Sequence, residues 1–150
     1  MQTQAISDKN AASITGTWKL VSYVIEAQES GHIIKVMGEQ PSGYVAFLPS
    51  GRVFFMLTAE GRAADPAHSA AGHAQLLDTM VAYTGRYRIE DDKWITRVEV
   101  AWNPEWIGTE QTRFFKLDGD SLQVLTPWRL MPNWAEHGMT RSIISFERAE

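Results

Sequence analysis

Apolar and polar positions alternate most clearly from Lys93 to Trp102. Trp94, Thr96, Val98, Val100 and Trp102 point one way, and Ile95, Arg97, Glu99 and Ala101 the other. Alternation built from aromatic and β-branched residues predicts a strand, whose side chains repeat every two residues, rather than a helix. Asn103-Pro104 ends the run and Gly108 closes the loop that follows. Glu110–Leu117 reads as the next strand, and Asp118-Gly119-Asp120 as a tight turn into Ser121–Thr126.

The same reading extends along the chain. Residues 1–13 are polar and read as a disordered tail, leaving 14–150 as one domain. Gly16-Thr17-Trp18 opens a strand to about Ala27, followed by shorter strands at Ile33–Met37, Gly43–Leu48 and Arg52–Thr58. Residues 59–82 are rich in Ala, Gly and His and break the alternation. Asp65 can cap a helix with Pro66 at its first position, and His73, Leu77 and Met80 then share one face. This predicts a helix over about Pro66–Ala82. Strands resume at Tyr83–Ile89, and the last covers Met139–Arg148, after a long loop holding Trp128 and Trp134. Short, regularly spaced strands with one helical insertion predict a closed antiparallel up-and-down β-barrel of about 8–10 strands.

Composition narrows the classes. A chain of 150 residues suits one domain that buries a core without staples. A net charge of −4 with no basic run argues against nucleic acid and anionic membranes. No apolar run is long enough to span a bilayer, and no signal-peptide pattern is visible. The absence of Cys removes disulfides and thiol chemistry and suits a cytoplasmic location. Six Trp fit either an aromatic-lined cavity or a packed barrel with packed ends. His32, His68, His73 and His137 are scattered; His68 and His73 stand five apart, not the four that aligns two ligands on a helix, so no metal and no cofactor are expected.

Five stretches carry a family resemblance: GTWKLVSY at 16–23, GYVAFLPSGR at 43–52, YTGRYRI at 83–89, VEVAWNPEWIGTEQTRFFKLDGDSL at 98–122, and FER at 146–148. The chain resembles the bacterial and fungal lipocalin-like domains, relatives of the calycin barrels. The resemblance implies a small antiparallel barrel with a central cavity, and related barrels in biosynthetic pathways look like cyclases or isomerases. It also implies that Trp18 plugs the closed end against a basic side chain. Where the family's strand commonly carries His before Val-Glu-Val, this chain has Thr96-Arg97.

If Trp102 stands opposite Glu110, then Glu99 faces Arg113 and Arg97 faces Phe115. Two readings of that pair are open. It is an exposed ion pair with the more apolar face (Val98, Val100, Thr112, Phe114) turned inward, or it lies inside with Arg97, Gln111 and Phe115. The second makes Glu99 and Arg113 candidate catalytic residues: Arg113 would bind a carboxylate or polarise a carbonyl, and Glu99 would orient it or act as general base. The apolar outer face would then need covering by the helix or by a second copy in a homodimer. Tyr44, Phe54, Met56, Tyr83 and Tyr87 are candidate cavity liners, with Trp102 at the mouth. The leading expectation is a barrel that holds a small, mostly apolar molecule with polar oxygens. The alternatives are an isomerase or cyclase acting on a carbonyl compound through Glu99 and Arg113, or a filled barrel that works through its surface.

Overall fold

In the computed structural model, which describes residues 9–149, ten strands, one helix and two 3-10 segments follow Ile14. The strands are β1 (Gly16–Ala27), β2 (Ile33–Ile34), β3 (Ser42–Phe47), β4 (Arg52–Thr58), β5 (Met80–Glu90), β6 (Lys93–Ala101), β7 (Glu110–Asp118), β8 (Ser121–Leu125), β9 (Arg129–Leu130) and β10 (Met139–Arg148). Eight of them pair in the order β1-β3-β4-β5-β6-β7-β8-β10, and β10 returns to β1, closing an antiparallel barrel. Closure leaves no long free edge. The short strands β2 and β9 sit on β1 and β10 at one end.

The lower end is sealed. Residues 9–14 are helical where a tail was expected, with only residues 1–8 of that tail outside the described range. Ile14 is fully buried, and the Trp18 indole donates to its carbonyl at 2.8 Å. Trp18 is itself fully buried with the Arg148 guanidinium 3.9 Å above its ring, as the resemblance implied. Above it, Phe47 packs edge-on to Trp94 at 4.8 Å, and Phe55 and Phe146 complete the layer.

The upper end carries the long connections. The helix, α1 (Ala70–Asp78), is shorter than the expected Pro66–Ala82. Ser69 rather than Asp65 caps it, accepting from the Gly72 amide, while Asp65 accepts from both the amide and hydroxyl of Ser69. None of its residues is buried. The expected shared face of His73, Leu77 and Met80 therefore does not dock on the core, and Met80 already belongs to β5. Asn133 fastens the helix end, its amide donating to the carbonyls of Asp78 and Met80.

Two bulges change which residues face inward. In β1, Val21 has no partner on β10, so the inward set passes from Trp18 and Leu20 to Tyr23 and Ile25. In β6, Glu99 has no partner on β5, so Glu99 and Val100 both turn outward. A bulge inserts one residue and so swaps the faces beyond it. Gly85 sits opposite this second bulge: a Cβ there would stand 2.0 Å from the Arg97 carbonyl oxygen, so only glycine fits.

Candidate functional site

The β6–β7 register differs from the expectation. Arg113 pairs with Trp94, not Glu99, and Arg97 pairs with Glu110, not Phe115. The loop from Glu99 to Thr109 is wider than a simple hairpin, because Val98 already exchanges hydrogen bonds with Gly108 and Thr109. The pairing is displaced by an odd number of residues, and an odd slip exchanges faces. Trp94, Thr96 and Val98 thus share the inside with Gln111, Arg113 and Phe115, while Arg97 and Glu99 are outside. Glu99 pairs on the outer wall with Arg52 at 2.7 Å. Arg113 is 3% exposed inside the barrel. The expected Glu99–Arg113 constellation does not exist.

Parity also relocates the expected liners. Tyr44, Phe54 and Met56 are 51%, 47% and 58% exposed and line an outer groove of about 360 Å³ on β3 and β4. Their inward neighbours are Val45, Phe55 and Leu57. Tyr87 packs at 5.2 Å on Phe47 in the lower half and donates to the Leu48 carbonyl. Gln111 faces in but bonds to the Thr109 hydroxyl. Trp102 stands edge-on at 4.8 Å to Trp106 at the rim.

Of the expected liners, Tyr83 is the one buried in the upper interior. Its ring stacks on Phe55 at 5.0 Å and leans on Trp106 at 5.3 Å. Trp106 reaches this position because Asn103 and Pro104 turn the chain through a 3-10 segment, Pro104–Trp106, that folds its indole back over the barrel. The Arg113 guanidinium lies 5.6 Å from the Trp106 ring and donates to the Thr112 carbonyl. Across the barrel, the Tyr23 and Ser142 hydroxyls bond at 2.8 Å, and the Thr126 hydroxyl accepts from the Ser142 amide. Arg129 enters from β9, donating to the Thr126 and Ser142 hydroxyls. Trp134, held by Thr140 at 3.1 Å, closes over this layer with its ring 5.8 Å from Tyr23.

Two polar atoms in this layer are buried without a partner: the Tyr83 hydroxyl and the Arg129 Nε. The Arg113 guanidinium acts on the Tyr83 phenol both by its charge and as a close donor, but the approach falls short of full hydrogen-bond geometry. Burial raises the Tyr83 pKa against the opposing pull of Arg113 and Arg129, which keeps the phenol protonated. Burial, reinforced by repulsion from Arg113, brings the Arg129 pKa down to about 10.

A cleft of about 610 Å³ between α1 and the 3-10 segment Pro132–His137 is lined by Ile34, Ala74, Asn133 and His137 and ends on Trp134. His68 and His73 approach within 5.9 Å elsewhere, but among the described residues no three metal-ligating side chains gather. No helix among them is long and apolar enough to cross a membrane.

Arg129, Tyr23 and Ser142 escaped the sequence reading. Tyr23 was hidden by the bulge at Val21, and Arg129 by its place in what read as a loop. A signal existed for Arg129: it is the one charged residue in the otherwise apolar run Trp128–Pro132.

A closed eight-stranded antiparallel barrel with a tryptophan-plugged end agrees with the comparison to known families. The model of the lipocalin-like domain matches residues 15–149. The chain belongs to that lipocalin-like family. A lipocalin-like barrel suits small-molecule binding in general. Among solved structures, an uncharacterized protein from Bacteroides eggerthii DSM 20697 is similar at 12% identity, over 90% of this chain and 98% of that chain, with a TM-score of 0.41. No curated protein matches the sequence.

Proposed function

We propose that this lipocalin-like barrel binds a small, mostly apolar molecule in its upper interior, with a polar oxygen of that molecule at Tyr83. One observation carries the reading: the Tyr83 hydroxyl is buried without a well-formed hydrogen bond, amid Phe55, Trp106 and a nearby Arg113 that does not complete one. A buried hydroxyl left unpaired costs about 1–3 kcal/mol, and a ligand oxygen would remove that cost. The aromatic rings beside it supply apolar contact for the rest of the molecule.

Native mass spectrometry of the protein purified from its own host, with extraction of the bound fraction, tests this. A co-purifying small molecule that is lost or reduced in Tyr83→Phe is expected. A molecule retained equally in Tyr83→Phe but lost when the outer groove is changed by Phe54→Ser would move the site to the outer wall.

The isomerase or cyclase alternative changes its residues. Glu99 is on the wrong side of the wall. Arg113 polarising a carbonyl, with the protonated Tyr83 as proton donor, is the form the geometry supports.

A further inference from the structure

Among the described residues, the upper interior holds the buried Arg113 and, reaching in from β9, the half-buried Arg129, and no carboxylate. The buried polar and charged side chains among the described residues are Thr96, Arg113, Thr126, Thr140 and Ser142, none of them acidic. Arg52, Arg88 and Arg141 all pair with glutamates on the outer wall, at 2.7, 2.7 and 2.9 Å. None of the ion pairs among the described residues includes Arg113 or Arg129. The charged or titratable groups that bear on Arg129 are Arg113, Tyr23 and Tyr83. One buried charge and one half-buried charge whose Nε is shielded from water thus stand near each other, an arrangement that costs stability unless something negative joins them. Packing alone would be served better by Met or Leu. The free donors add direction: Arg129 Nε and the Tyr83 hydroxyl are both buried and unpartnered. Tyr83 and Arg113 both pack on Trp106, Arg129 reaches the Ser142–Tyr23 pair, and the phenol feels both arginines.

We propose that the ligand of this barrel is an organic acid whose carboxylate sits between Arg113 and Arg129, with Tyr83 as a third donor. The inference deepens the binding reading above and rests on it. A carboxylate fits better than a phosphate. The guanidinium fork matches a planar pair of oxygens. Phe115, Val124 and Trp106 make the surroundings apolar, and a monoanion gives up less hydration there than a dianion. The apolar body of the acid would lie along Phe55 and Trp106 toward Trp134.

Isothermal titration of the full chain near neutral pH, with matched acids and amides, tests this. The probes are benzoate and benzamide, 2-naphthoate and 2-naphthamide, and decanoate and decanamide. At least one acid is expected to bind about tenfold or more tighter than its amide, as a charge-assisted contact requires. Arg129→Gln, at the rim, is expected to abolish that preference while leaving amide affinity in place, and Glu99→Gln to change neither. If Arg113→Gln fails to fold, the wild-type comparison and Arg129→Gln still decide. Equal affinity of acid and amide, or a preference that survives Arg129→Gln, overturns the carboxylate inference and leaves the binding reading standing. No binding by any of the six overturns both.

Discussion

Two arginines lie over tryptophan rings at opposite ends of the barrel, and their surroundings differ. At the lower end Arg148 stands 3.9 Å over Trp18 and donates to the Thr15 and Ser13 carbonyls at 2.7 and 2.8 Å. Its charge is spread over fixed acceptors at the barrel's edge. At the upper end Arg113 lies 5.6 Å from Trp106, shares its interior with Arg129, and has a buried unpaired phenol for a neighbour. The lower arrangement is complete within the chain. The upper one leaves the Tyr83 hydroxyl and the Arg129 Nε without a partner. Proteins bear such local cost where activity requires it.

The comparison can be broken most forcefully at the lower end. Trp18→Ala truncates a fully buried ring and should cost about 3–5 kcal/mol in urea or thermal unfolding. An unchanged melting temperature would contradict its role as the plug. Gly85→Ala comes next, since its Cβ would meet backbone at 2.0 Å. Overpacking of this kind costs about 1–3 kcal/mol, and a loss within experimental scatter would mean the β6 bulge tolerates a side chain.

Tyr83→Phe probes the upper end more gently. Removing an unsatisfied hydroxyl should leave stability unchanged or slightly higher. It should also change the alkaline limb. Burial raises the folded pKa of Tyr83 above its ordinary value near 10, so the folded state holds its proton longer than the unfolded chain does. The stability tied to that proton is complete below about pH 10 and is lost as pH rises through the folded pKa. The difference between wild-type and Tyr83→Phe unfolding free energies, followed upward from pH 9, should therefore fall for the wild type. Parallel curves would show that Tyr83 is not buried. The smallest effect belongs to Glu110→Gln, which removes an exposed partner of Arg88 and should leave the melting temperature within the scatter of repeats.

Most of the barrel could be read from the chain. The alternation located β4 and β10 to the residue and β6, β7 and β8 within one, because these strands have one face in the core and are bounded by turn-forming residues. What alternation could not supply was parity across irregularities. An extra residue at Val21 and another at Glu99 each exchange inside for outside, and neither leaves a mark in a two-residue repeat. The β6–β7 register was lost for a related reason. The loop holding Trp106 takes its shape from contacts with Tyr83 and Arg113, which are distant or unpaired in sequence. Arg113 and Tyr83 could be named because they fall in family-like stretches. Their partnership with Arg129 depends on β9 folding back onto β10, a tertiary fact. The helix was overextended because an Ala-rich composition favours helix, whereas β5 pairing with β4 claims Met80–Ala82.

One paired measurement tests directly whether the upper arginines are kept for a ligand rather than for the fold. Urea unfolding of Arg148→Met and Arg129→Met, without added ligand, compares the two ends with the same substitution. Arg148→Met should lose about 1.5–3 kcal/mol, the worth of charge-assisted bonds to fixed carbonyls. Arg129→Met should lose clearly less than Arg148→Met, since the hydroxyl bonds it gives up are offset by removing a half-buried charge with no opposite charge beside it. If Arg129→Met is instead as destabilised as Arg148→Met, Arg129 is a structural brace and the upper end is as complete within the chain as the lower.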